Sequence, residues 1–328
     1  MRNVWRIAAI GLISLCVQTP AQQQQTESLQ HALQTRESEM RQLQLQYHVS
    51  LAWRKEGQGT NSQTGDSADA TLVVDHFAQG TVMHFRGKRG PKAQEEEYYA
   101  NVMLLESPVA YLWTDNDSTV VATHFGFHPE TSLAPLILLS GVNPLRFAQP
   151  DTVQVRRTPR QLHVEFGLTA DAALGGWSEG RLRVEFDPVR GMSPVKVSSV
   201  DRSGKTVTYG EVKRLVKQNS VWLPQSVTFS HTRMGLQVTY HLQEASRSAG
   251  RAPNWLHEGV LVNDWRLGFE NPIAYKFTEW TLPSVSELQQ RQQETQQQGA
   301  RGATETEARF PFLLPFFSSS SAYTGTGE

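Results

Sequence analysis

Leu45, Tyr47, Val49, Leu51 and Trp53 alternate with Gln44, Gln46, His48, Ser50 and Ala52. A period of two puts one set on a buried face and the other in water, so this stretch predicts a strand. The rhythm returns in short segments separated by turn residues: 72–77 and 81–86 around Gln79-Gly80, then 98–105, 109–114 and 119–124, the last two around Asp115-Asn116-Asp117. It resumes over 153–157, 161–168, 181–187, 195–201, 206–215, 220–229 and 235–244. The alternation is cleanest in 181–187, where Leu182, Val184 and Phe186 face one way and Arg181, Arg183, Glu185 and Asp187 the other. Such short separations predict antiparallel neighbours joined as hairpins.

Two stretches break the period. Residues 26–43 hold no Gly or Pro and carry Leu29, Leu33, Met40 and Leu43 near helical spacing, with Thr26 as a candidate N-cap. Gln22 to Gln25 before it reads as a loose polar run. Residues 131–145 collect Leu133, Leu136, Ile137, Leu138, Leu139, Val142 and Leu145. They predict a short buried helix and loop against the sheet. Residues 254–283 read as irregular, with Trp255, Trp265, Phe269, Phe277 and Trp280 as anchors, and 285–298 as a polar helix with little apolar face. Many strands without long intervening helices exclude βαβ units. The expected fold is mainly β: a strongly curved antiparallel sheet or incomplete barrel of about eleven strands, with the N-terminal and mid-chain helices covering its concave face.

The ends differ from this middle. Arg2 and Arg6, the apolar run 7–17 and Thr19-Pro20-Ala21 form a secretory signal pattern. The run is shorter than the roughly 20 residues a membrane span needs. Leu15 before Cys16 fits a lipidation signal poorly, and Cys16 is the one cysteine, so cleavage after the signal leaves no thiol for disulfides, metal sites or nucleophilic catalysis. Residues 299–328 have low complexity and read as a disordered, loose tail, apart from the apolar patch 310–317. The expected division is a signal peptide over 1–21, one domain over 22–288 and a Gln-rich tail over 289–328, with a periplasmic or secreted location. A formal net charge of -1 offers no electrostatic case for nucleic acid or an anionic membrane surface.

Catalytic and cofactor signatures are weak. His124 and His128 flank Gly126 and precede Pro129, which does not secure the helical i,i+4 geometry of a metal pair. Asp115-Asn116-Asp117-Ser118 resembles the start of a calcium loop without its glycine or distal glutamate. Gly204-Lys205-Thr206 ends like a phosphate loop, but Ser199 stands where the first glycine belongs and a strand pattern follows. No Gly-x-Ser-x-Gly elbow occurs. No cofactor, metal or catalytic residue is assigned.

The informative signal is an apolar strand face carrying Leu51, Trp53, Phe85, Tyr111, Trp113, Phe166, Val184, Phe186, Phe229, Val238 and Tyr240. These residues are either plain core under a covering helix or the lining of an apolar ligand cavity.

Further along come Phe186-Asp187-Pro188-Val189-Arg190-Gly191-Met192-Ser193-Pro194-Val195, then Val221-Trp222-Leu223-Pro224, then Glu270-Asn271-Pro272-Ile273 before Phe277 and Leu282-Pro283. In this order, over residues 27–288, the chain resembles secreted members of the outer-membrane lipoprotein-sorting superfamily, the LolA-like and LppX-like proteins. The resemblance implies a half-barrel of about eleven strands around an apolar cavity that carries acyl chains of lipids or lipoproteins, without chemistry. The arginine of the family's sorting members has no assigned equivalent here, and the Gln-rich end and the 310–317 patch depart from the pattern. Three functions follow: a carrier of acyl chains, an envelope sensor or protein-interaction module on the same scaffold, and, least favoured, a hydrolase.

Overall fold

The computed structural model describes residues 20–53, 68–88, 96–104, 109–114, 118–124, 133–169, 179–201, 203–218, 220–232, 235–267, 272–278, 280 and 283–299. Most of the expected signal, the His124 to His128 loop beyond His124, Asp115-Asn116-Asp117 and the 310–317 patch therefore lie outside the described residues.

Helix α1 (Pro20–Met40) runs into strand β1 (Leu43–Trp53), followed by β2 (Ala68–Phe77), β3 (Gly80–Lys88), β4 (Glu96–Leu104), β5 (Val109–Thr114) and β6 (Thr119–His124). Helix α2 (Leu133–Ser140) leads through two 3-10 turns to β7 (Gln154–Arg157), β8 (Leu162–Gly167), β9 (Glu179–Asp187), β10 (Ser193–Asp201), β11 (Thr206–Gln218), β12 (Val221–His231) and β13 (Leu236–Arg247). Strands β14 (Leu261–Asp264) and β15 (Ile273–Lys276) and helix α3 (Val285–Gly299) close the described chain.

The fifteen described strands form one curved sheet in the order β15-β14-β6-β5-β4-β3-β2-β1-β13-β12-β11-β10-β9-β8-β7. Two meanders, β1 to β6 and β7 to β13, join along a long seam where β13 returns to β1, from Leu43 opposite Arg247 to Trp53 opposite Leu236. Pairing is antiparallel except between β14 and β6. The order has two ends, so the sheet stays open. Register shifts between Gln46 and Tyr47, Val212 and Leu215, and Pro194 and Lys196 insert bulges, and bulges sharpen bend and twist. The Asp201 turn joins β10 to β11: its carboxylate accepts from the Ser203 and Lys205 amides, and Gly204 has φ 84°. That segment is a hairpin turn, not a phosphate loop.

The strand count exceeds the expected eleven partly because β14 and β15 lie within 254–283, read from the sequence as irregular. Four-residue strands with little alternation of their own leave a faint signal. Helix α1 starts earlier than expected and takes in the Gln run: Pro20 sits at its first position, where a missing N–H costs nothing, and Gln is a good helix former. It ends at Met40 because the next residues turn and β1 begins at Leu43.

Helices α1 and α2 define the inner face of the sheet. Leu29, Leu33 and Met40 of α1 and all eight residues of α2 are buried against it. A helix apolar on every side is stable only when enclosed, and α2 lies across β10, β11 and β12 and reaches β2. The two helices meet where Gly141, at φ 69°, ends α2: a Cβ there would stand 2.6 Å from Met40 Cγ.

The outer face is covered over part of its area only. Trp255, Leu256, Phe277 and Trp280 of the C-terminal segment pack on Phe77, Val82, Val102, Tyr111, Val120 and Val262 in a second core.

Candidate functional site

One register line crosses the inner face through eight strands. Leu51 stands opposite Val238, Val238 opposite Phe229 and Phe229 opposite Gly210. The line continues through Val197, Val184, Val164 and Val155. Every position is apolar, and the glycine lies at its middle. A Cβ on Gly210 would come within 2.5 Å of Leu138 Cδ1 and 3.9 Å of Ala134 Cβ. The missing side chain is the notch into which α2 settles.

Eight of the eleven expected residues gather on this face: Leu51, Phe85, Phe166, Val184, Phe186, Phe229, Val238 and Tyr240 all belong to the inner core or pack against it. Phe166, Val184, Phe186 and Phe229 are each 1% exposed. Tyr111 and Trp113 do not share it. They belong to the second core on the opposite face, where Trp113 stacks on Trp255 at 5.7 Å and 7° and Tyr111 meets Phe277 edge-on. The cause is register: Val102 pairs with Tyr111, which leaves Ala110 to face inward. Trp53 pairs with Leu236 along the seam, and its side chain is not among those described.

Three polar side chains sit within the inner core; the alternation of β1 placed Tyr47 on the buried face, but nothing in the strand pattern foretold Arg36 or Glu37. Arg36 lies on the buried stripe of α1 and is 4% exposed; its Nη2 donates to the Trp222 carbonyl at 3.0 Å. Burial pulls the guanidinium down to about 10, opposed by Glu39, so it remains protonated at neutral pH. Tyr47 of β1 is fully buried, and burial drives its hydroxyl far above the ordinary phenol value, with Arg36 opposing. Glu37 accepts from Arg146 Nε at 3.2 Å through one oxygen. Arg36 Nε, Tyr47 OH and Glu37 Oε1 are buried without a hydrogen-bond partner. The readable sign was a charged residue on the Leu29, Leu33, Met40 stripe.

Elsewhere, the outer face carries an open polar groove of about 460 Å³ lined by Tyr209, Glu211, Lys213, Thr228, Ser230 and Gln237. His76 Nδ1 lies 3.0 Å from Thr81 Oγ1, but Thr81 is 0% exposed, and Asp75 accepts from the His76 amide and Ser248 rather than from the ring. A sealed hydroxyl whose histidine lacks an orienting carboxylate does not form a nucleophilic triad. Among the described residues no group of three His, Cys, Asp or Glu side chains is placed to hold a metal ion, and no described helix is long and apolar enough to cross a membrane.

No family model matches the chain, and no curated protein matches it. Among solved structures it is similar to a putative outer membrane lipoprotein-sorting protein domain from Vibrio parahaemolyticus, at 11% identity and a TM-score of 0.49, over 69% of this chain and 94% of that one. A DUF1329 family protein from Desulfovibrio piger is similar at 10% identity and a TM-score of 0.47, and a LolA superfamily protein from Nitrosomonas europaea at 9% and 0.45, with the same coverage.

Proposed function

We propose that the protein is an exported, periplasmic or secreted carrier that holds the acyl chains of lipids or lipoproteins on the inner face of its sheet, in the space α2 fills in the unloaded state. The observation that supports this reading is the plug itself. The inner face is apolar across eight strands, and the element seated on it is a short, separable helix whose exposed alternative is a lipid-like surface of Leu and Ile. Each such side chain gains about 1.5–3 kcal/mol on burial, so the five of α2 hold roughly 8–15 kcal/mol. A sixteen-carbon chain gains roughly 10 kcal/mol before ordering costs. The two occupants are closely matched, which makes exchange reversible. The carrier performs no bond chemistry.

A lock tests it. The 3.9 Å from the Gly210 Cβ position to Ala134 Cβ fits a disulfide. With Cys16→Ser removing the native thiol and Leu138→Ala clearing the side chain that a Cβ at position 210 would strike, Ala134→Cys with Gly210→Cys is expected to take up acyl ligand when reduced and to lose uptake when oxidised with diamide. Equal uptake in both states would remove the plug from the account.

The filled interior also favours a second reading, an envelope sensor or protein-interaction module on the same scaffold, for which α2 never leaves. The locked protein separates the two, because a module keeps its partner binding when oxidised.

A further inference from the structure

The inner core contains a cation that its own fold does not satisfy. Arg36 is held against the inner core by one bond to a carbonyl, and its Nε–H is buried without a partner. Among the described residues no carboxylate forms an ion pair with it; Glu37, the next residue, gives its bonded oxygen to Arg146. Tyr47, whose phenol feels the Arg36 charge, holds a second unpaired donor. A buried donor without an acceptor is costly, and a buried cation more so. Plain packing gives no reason for placing both there, since Met and Phe would fill the same volumes without the cost.

We propose that Arg36 and Tyr47 form the headgroup end of the inner site and receive the carboxylate of a single-chain lipid acid, one oxygen accepting from Arg36 Nε and the other from Tyr47 OH. This rests on the carrier reading and specifies its ligand class. Two donors match the two oxygens of a carboxylate, and a charge-assisted bond in a water-poor interior is among the stronger kinds. The acyl chain takes the volume that α2 vacates. Because chain and plug are closely matched, the headgroup decides whether loading occurs.

The test compares oleate with oleyl alcohol, which share the chain and differ in the head, each titrated against the intact protein below its aggregation limit. Oleate is expected to bind about tenfold or more tighter than the alcohol. Arg36→Met and Tyr47→Phe are each expected to narrow the preference for oleate, weakening oleate several-fold more than the alcohol. Tyr47→Phe keeps the ring volume, so its unfolding temperature is expected to hold or rise, and it carries the test should Arg36→Met fail to fold. Equal affinity of the native protein for both ligands overturns the headgroup site and leaves the carrier standing, as does a variant that loses both ligands alike. If the native protein binds neither, the carrier reading falls and the headgroup site falls with it.

Discussion

His76 shows how one side chain ties the fold to pH. Its imidazole is 2% exposed, and burial pulls its pKa from 6.5 down to about 4, with Arg41 adding to the shift and Asp75 opposing it. Below pH 6.5 the unfolded chain takes up a proton that the folded chain refuses, so stability falls as pH drops toward 4, by up to about 3 kcal/mol. His84 is lowered in the same direction, also by burial. Urea unfolding at pH 7 and pH 4.5 should show a smaller acid loss in His76→Gln than in the native protein; equal losses would mean His76 does not titrate across that range. Residue by residue, legibility depended on parity. Phe166, Val184 and Phe186 could be assigned to one face because polar neighbours alternate with them. Tyr111 and Trp113 could not: Val109, Ala110, Tyr111, Leu112 and Trp113 form an unbroken apolar run, which signals burial on both faces and leaves the direction of each side chain to register. Arg36 was hidden for the opposite reason, since one charge on a helical stripe reads as surface until the helix is seated.

At the scale of elements, the C-terminal segment is fastened to the sheet by one polar knot. Asp264 on β14 is 1% exposed. It accepts from Arg266 Nε and Nη2, the latter at 2.7 Å, and from Tyr275 OH on β15 at 3.1 Å. Arg266 also donates to the Pro283 carbonyl, and the Asp264 carboxylate holds the guanidinium above its ordinary value against the cost of burial. Asp264→Asn leaves a buried guanidinium without its anion and is expected to cost about 3–5 kcal/mol, read as a lower urea midpoint. A loss under about 1 kcal/mol would show that the aromatic packing alone holds the segment. This element was the least legible. Its anchors Trp255, Phe277 and Trp280 were visible as residues, but their target is the outer face of strands far away in sequence, and the parallel pairing of β14 with β6 has no local signature. The α2 plug, in contrast, was legible from its unrelieved apolar run, and the strands of 181–244 from their alternation and turns.

For the whole molecule, the central fact is an asymmetry of cover. The outer face of β3 to β6 is sealed by the chain's own C-terminal segment, fixed by the Asp264 knot. The inner face is covered by α1 and by α2, a helix of eight residues seated on one glycine notch. The C-terminal cover and the helix proposed to yield to ligand thus lie on opposite sides of the same sheet. Curvature, antiparallel pairing and the two covering helices were legible in the sequence. The seam of β1 with β13 was not, because it joins segments nearly two hundred residues apart. The most direct measurement is native mass spectrometry of the protein purified without detergent, followed by organic extraction. A carrier is expected to show a reproducible added mass that extracts as lipid, or uptake of one acyl chain per molecule when lipid is offered. A clean unliganded mass that stays unchanged in the presence of acyl lipids would contradict it and leave the interaction module as the function of this sheet.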